Sequence, residues 1–298
     1  MPPANAHSAL DLLDLVGLTG LMQRTVGIPQ VVVGLIDGPV AMNMPHFAGQ
    51  TVRELPGERG GFCSRASSTA CMHGTFVAGI LSATRGSMPP GICPGCTLLV
   101  RSIFAETDDV PCATPKELAV AIIDAVKAGA RVLNVSTTLT QRSTRGEREL
   151  EEALGYASRR GVIAVAAAGN EALVGSSSLT QHPSVIPVVS CDRKGRPTAE
   201  SNLGSCIGRR GLSAPGKNVT SLGSNGKPLT RSGTSAAAPF VTGAIALLWS
   251  EFPSASATQI RLAVTRTRGG RRRAITPPLL DAWAAYQAMH DACPRGGP

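Results

Sequence analysis

The chain has 298 residues, 43% hydrophobic and 16% charged, with 29 Lys and Arg against 20 Asp and Glu for a formal charge of +9. That balance is globular rather than disordered, and the length allows a large core. Aromatics at 3% leave little to stack on nucleic-acid bases, so the positive charge attracts acidic partners in general and names none.

The opening MPPANAHSALDLLDLVG lacks a basic n-region, an unbroken apolar run and a small-residue cleavage site. It therefore predicts neither a secretory signal nor a membrane span, and by default a reducing, cytoplasmic location. Eight cysteines, an even number, point the other way, toward a secreted chain. Ser8 followed three residues later by Asp11 reads as a capped helix start, opening a short Leu-rich helix on the outside of the domain.

Val31 to Ile36 is a continuous apolar, β-branched run, as in a strand buried on both faces. It ends in Asp37-Gly38-Pro39. That acid is either a turn former or a group at the carboxyl end of a parallel strand, where ligand sites of open α/β sheets gather. Residues 49–70 read as an exposed loop, and His73-Gly-Thr-Phe-Val-Ala-Gly79 then opens a helix. Gly74 and Gly79 allow close backbone approach there, while Phe76, Val77 and Ile80 form its apolar face. His7, His46, His182 and His290 lie in no comparable string.

Leu98 to Ile103 is another strand, followed by a polar loop from Glu106 to Thr114, a helix over 115–130 and a strand over 131–136. A charged helix over 146–160 precedes Gly161 to Asn170, a strand ending in Ala-Gly-Asn. This β-α-β-α-β order predicts a parallel sheet with right-handed crossovers. Residues 185–189 and 211–216 supply later strands, with a hairpin-like turn at Asp192 to Gly195.

Ser232 to Ser250 organises the rest. Ser235 follows a tight turn at Gly233, and Ala236 to Trp249 is almost wholly apolar, too short for a bilayer but suited to a buried helix. Pro239 is tolerable only in a helix that starts close to Ser235. The serine then sits at a helix N-terminus, where developing negative charge is favoured. Helices near 256–266 and 279–292 close the chain. The arginine-rich turn between them, with Gly269-Gly270 and no aromatic, reads as a solvated connection rather than a nucleic-acid site.

The string Gly-Thr-Ser235-Ala-Ala-Ala-Pro resembles the nucleophile segment of subtilisin-like serine proteases, and Asp37, His73 and Asn170 lie in segments resembling that family's other motifs, in the family's order. The Asp-Gly-Pro-Val form at residues 37–40, with Gly38 where Thr or Ser is usual, is similar to proteases that mature cyanobactin-type precursor peptides. The resemblance covers roughly Val31 to Ala288. It implies a three-layer α/β fold, a mostly parallel central sheet with helices on both faces, forming one peptidase domain over 1–298. Residues 1–30 would be a helical extension, too short for the family's folded inhibitory pro-domain.

The chemistry implied is peptide hydrolysis. Ser235 attacks the carbonyl, His73 carries the proton, Asp37 orients the imidazole, and Asn170 joins the Ser235 N–H as oxyanion donor. Ser136 lies on the strand implied to pair with substrate backbone. Thr137 and Thr138 stand where glycines are common and narrow the P1 pocket, opposite the 106–114 loop. The partner expected is a peptide or protein substrate, possibly a ribosomal precursor peptide, with no nucleic acid, membrane, cofactor or calcium-loop pattern. General protein degradation and a catalytically silent peptide-binding scaffold are the alternative readings.

Among the cysteines, Cys63 with Cys71 and Cys191 with Cys206 are candidate disulfides closing local loops. Cys93-Pro-Gly-Cys96 has metal or redox spacing, but without a second such pair it reads as structural. Cys71, two residues before His73, is not assigned as a nucleophile.

Overall fold

The computed structural model describes residues 4–57, 63–87, 89–106, 113–137, 144–266 and 275–292. Its strands are β1 (Val32–Asp37), β2 (Val52–Glu54), β3 (Thr97–Ser102), β4 (Val132–Val135), β5 (Ile163–Ala167), β6 (Val185–Cys191), β7 (Leu212–Pro215), β8 (Val219–Leu222) and β9 (Pro228–Arg231). The first seven form one sheet in the order β2-β3-β1-β4-β5-β6-β7, and every pair in it is parallel. The remaining two make an antiparallel hairpin. The parallel sheet is the one expected from the alternating pattern, and the helices on both faces are those the family resemblance implied.

The helices are α1 (Ala4–Leu15), α2 (Leu18–Arg24), α3 (Thr69–Ser82), α4 (Pro115–Lys127), α5 (Thr144–Arg159), α6 (Ser178–Gln181), α7 (Ser205–Arg210), α8 (Thr234–Glu251), α9 (Ala257–Thr265) and α10 (Ala282–Ala292). Side chains alternate across the sheet because successive Cβ atoms of a strand point to opposite faces. Ile163 and Val165 join the cluster beneath α3 and α8, while Ala164 and Ala166 join the one beneath α4 and α5. Helix α8 is apolar all round because it is enclosed all round, with Ala236 to Trp249 buried throughout.

Three local expectations need correction. Helix α1 begins at Ala4, so Ser8 lies inside it and is not its cap. The leucines it opens are not peripheral: Leu12, Leu13, Val16, Leu18 and Leu21 all belong to the main core, with Gly17 at φ 65 breaking α1 from α2. Helix α8 does start close to Ser235, at Thr234, as Pro239 required, but the proline still falls beyond its first turn. A proline there removes one i→i−4 bond, and the carbonyl released is that of Ser235.

The strand order reverses at β1, which has β3 on one side and β4 on the other. Such a switch point leaves a crevice at the carboxyl ends of the strands. Asp37 closes β1, Ser136 and Thr137 follow β4, and Asn170 follows β5. The topology therefore delivers residues distant in sequence to one edge. Among the described residues no helix is long and apolar enough to cross a membrane.

Candidate active site

Asp37 is fully buried at the end of β1. Its Oδ1 accepts from the Gly38 backbone N–H at 2.6 Å and lies 2.6 Å from Nδ1 of His73. A carboxylate can only accept, so Nδ1 carries the proton and Nε2 presents its lone pair. That Nε2 lies 3.0 Å from Oγ of Ser235, whose hydroxyl donates to it. One line of hydrogen bonds thus joins an acid, an imidazole and a hydroxyl held by three elements, β1, α3 and α8. The second carboxylate oxygen, Oδ2 of Asp37, is buried without a protein partner.

The departure at Gly38 has a steric cause. A Cβ there would lie 2.1 Å from the carbonyl oxygen of Ala70, and one on Gly74 would lie 2.3 Å from the carbonyl oxygen of Gly38. The start of α3 rests directly on the turn after β1, and this contact sets the reach of His73 toward Asp37. The threonine or serine usual in the family has no room.

Helix α3 is fixed from outside as well. Ser68 caps it, accepting from the Cys71 backbone N–H at 3.1 Å. Cys71 is joined to Cys63, as the loop spacing suggested, which takes it out of any nucleophilic role. Glu106 accepts from the backbone N–H groups of Ser64 and Arg65 and from the hydroxyls of Ser64 and Ser68. Burial pushes its carboxyl up, but these bonds outweigh that and hold it below the usual carboxylate range. Sequence reasoning had assigned Glu106 only to a loop; its partners lie about forty residues upstream, beyond any local signal.

Asn170 meets α8 at the same edge. Its Oδ1 accepts from the Thr234 backbone N–H at 2.8 Å, which leaves the amide Nδ2 free to donate outward. The Thr234 hydroxyl in turn accepts from the Gly169 backbone N–H at 3.2 Å. Thr234, read in the sequence only as part of the serine string, thus couples the β5 loop to the nucleophile turn. Ser235 is the second residue of α8, in the turn where backbone N–H groups have no intrahelical acceptor.

Ser136 and Thr137 are buried at the end of β4, whereas Thr138 and most of the 106–114 loop lie outside the described residues. Ser136 Oγ accepts from the side-chain amide of Asn134 at 2.7 Å, and Asn134 Oδ1 accepts from the Thr242 hydroxyl at 2.9 Å. This buried chain ties the strand beside the cleft to α8, a link that no spacing in the sequence announces.

The other cysteine readings divide. Cys191 and Cys206 are free thiols, not a disulfide: Cys191 is buried at the end of β6 and Cys206 sits on the separate helix α7. Cys93 and Cys96 are buried free thiols hydrogen-bonded to each other, a contact that with burial pushes Cys93 well up. Among the described residues, Cys63, Cys71 and Glu106 are grouped closely enough to hold an ion, but both sulfurs are taken up in the disulfide. The arginine-rich turn at 267–274 lies outside the described residues.

An Asp, His, Ser constellation in that chain order, at the carboxyl edge of a parallel α/β sheet, defines a class of site found in subtilisin. The chain belongs to the subtilase family (peptidase S8), whose family model matches residues 29–282. It is similar to the thermostable alkaline protease of Halalkalibacterium halodurans, 32% identical over 196 residues, 65% of this chain and 52% of that protein. The chain thus spans about half the length of that relative. Among solved structures it is similar to a mutant of the protease domain of PatA, with a TM-score of 0.80, 29% identity and coverage of 89% of this chain and 97% of the other. The prenylagaramide maturation protease PagA is similar at a TM-score of 0.78 and 29% identity, over 91% and 98% of the two chains.

Proposed function

We propose that this chain is a serine endopeptidase in which Ser235 is the nucleophile, His73 the general base and then acid, Asp37 the residue that orients and stabilises the imidazolium, and Asn170 an oxyanion donor. The observation that carries the reading is the unbroken line from Asp37 through His73 to Ser235. Serine hydroxyls are weak nucleophiles until a base takes the proton, and here the base is in contact and already in the required tautomer. As the Ser235 oxygen attacks, its proton passes to Nε2 and negative charge collects on the former carbonyl oxygen. The free Nδ2 of Asn170 and the backbone N–H of Ser235, in the first turn of α8, are the donors available to it.

The substrate proposed is a ribosomal precursor peptide. The support is the likeness to the prenylagaramide maturation protease PagA over nearly the whole of both chains, together with the Asp-Gly-Pro-Val form at residues 37–40. The buried Thr137 beside the cleft supports a narrow P1 site. A cytoplasmic place belongs to the same proposal, supported by the free thiols at Cys93, Cys96, Cys191 and Cys206; the Cys63–Cys71 disulfide is the observation that favours a secreted place instead.

The test is labelling by a fluorophosphonate, with Ser235→Ala as its control, and peptide hydrolysis read by mass spectrometry. Wild type is expected to label and cleave; Ser235→Ala loses both, with a rate loss on the order of a million-fold, a magnitude measured on subtilisin itself. A folded wild-type chain that neither labels nor cleaves any peptide is instead the silent scaffold.

A further inference from the structure

Asn170 follows β5 and is tied to α8 only through its own Oδ1, while the residues on either side of it are both held by one residue from elsewhere. Asn202 lies in the segment between β6 and α7. Its backbone N–H donates to the Gly169 carbonyl at 3.0 Å, and its Oδ1 accepts from the backbone N–H groups of Glu171 at 3.1 Å and Leu173 at 3.0 Å. Its Nδ2 donates to the Glu171 carboxylate. We infer that Asn202 is a positioning residue for the oxyanion site, holding the backbone on both sides of Asn170 so that its amide is aimed before substrate arrives.

Three further observations support this role over that of an ordinary surface turn. The loop is strained, with Ala172 at φ 55, a region that residues with a Cβ rarely adopt. Gly169, at φ 104, leaves the space that Asn202 fills: a Cβ there would lie 2.2 Å from Nδ2 of Asn202. The same two segments are joined again around this point, by Ala172 N–H to the Glu200 carbonyl and Leu203 N–H to the Leu173 carbonyl, both at 2.9 Å. Asn202 therefore sits at the centre of a brace whose other bonds fix the two segments but not residue 170 itself.

An oxyanion donor accelerates the reaction only when it is in place before charge develops, and a misplaced one forfeits most of its effect. Removing the side-chain bonds of the brace, which hold Glu171 and Leu173, should slow the step that forms the tetrahedral adduct while leaving ground-state binding nearly untouched. The inference rests on the proposed catalytic role of Asn170, and the experiment separates the two.

The probe is a fluorophosphonate, whose adduct carries an oxygen at the oxyanion position, so no natural substrate is needed. Second-order labelling rates are compared for wild type, Asn202→Ala, Asn170→Ala and the double variant, with circular dichroism of each. Asn202→Ala is expected to label about tenfold or more slowly and Asn170→Ala about a hundredfold or more slowly, in line with the loss of an oxyanion donor. The double variant should be no slower than Asn170→Ala alone, because the brace acts only through Asn170. A purely structural role predicts instead that the two losses multiply. Asn202→Asp combined with Glu171→Gln reverses the amide–carboxylate bond while keeping an acceptor for both backbone N–H groups, and should restore labelling to within about threefold of wild type.

Wild-type labelling rates in Asn202→Ala, multiplying losses in the double variant, or a folded reversed pair that labels no faster than Asn202→Ala would each overturn the inference. A wild-type chain that does not label overturns the proposed function beneath it, and this inference with it. Normal labelling by Asn170→Ala overturns the role of Asn170 itself.

Discussion

Gly38 and Ala70 touch so closely that no side chain fits between them: a Cβ on Gly38 would lie 2.1 Å from the Ala70 carbonyl oxygen. The contact is between backbones, so relief requires moving either the turn after β1 or the first turn of α3. Either movement changes the distance from His73 to Asp37. Gly38→Ala should therefore lower kcat by about a hundredfold, the scale expected of a displacement near 1 Å at a reacting group. Peptide hydrolysis by a Gly38→Ala variant of native circular dichroism checks this; an unchanged kcat would mean α3 yields without disturbing His73.

Glu106 makes a prediction about acid. Its folded carboxyl is held below the ordinary range, chiefly because the hydrogen bonds from Ser64, Arg65 and Ser68 outweigh the burial that opposes them. A depressed carboxylate contributes stability above its unfolded pKa and loses that contribution as pH falls through the folded value. Glu106→Gln should thus be less stable than wild type at neutral pH, by under about 1 kcal/mol given its solvent screening. The gap should shrink in acid. Urea melts at pH 7 and pH 3 measure it, and a gap that widens in acid reverses the sign of the argument.

The cysteines should separate by chemistry. Burial, aided by the neighbouring Asp192, pushes the Cys191 thiol up to about 12, so it carries almost no thiolate at neutral pH. Cys206 is half-exposed on α7. Iodoacetamide on the native protein should label Cys206 and spare Cys191 and Cys93, as read by peptide mapping. Rapid labelling of Cys191 would mean that the end of β6 opens readily.

Thr137 bears on specificity. It is buried at the end of β4, where the family resemblance places the wall of the P1 pocket. Forcing a large aromatic residue against packed atoms costs about 1–3 kcal/mol, which corresponds to a discrimination of roughly ten- to two-hundred-fold. Small P1 residues should be preferred over Phe or Tyr, and Thr137→Gly should narrow the difference. A peptide library varied at P1 tests both; a wild type that already favours Phe or Tyr rejects the pocket assignment.

The parts of this fold legible in the sequence were those whose signal is local. Val31 to Ile36 could only be a buried strand, Ala236 to Trp249 only a buried helix, and the strings around Asp37, His73, Asn170 and Ser235 carried their own context. What escaped depends on partners distant in the chain. Glu106 reads as a loop acid until the 63–68 segment is folded against it, and Asn202 carries no signal at all until Gly169 and Glu171 are beside it. The pairing of Cys191 with Cys206 failed for a related reason. Sequence proximity suggested a closed loop, but β6 buries one thiol while the other is carried on the separate helix α7. Ser8 failed as a cap because the helix already runs from Ala4.

Helix α8 carries the proposed nucleophile and also fills the space under four strands, packing on β4, β5, β6 and β7 as well as on α3. During synthesis the acid, the base and the oxyanion amide all leave the ribosome before it does. Until α8 emerges, that face of the sheet lacks its central cover, and the half-made chain has neither a finished interior nor the Ser235 hydroxyl. The segment that fills the centre of the core is also the one that brings Ser235 to the site. A nascent chain therefore passes through its most cleavable stage while it is unable to cleave.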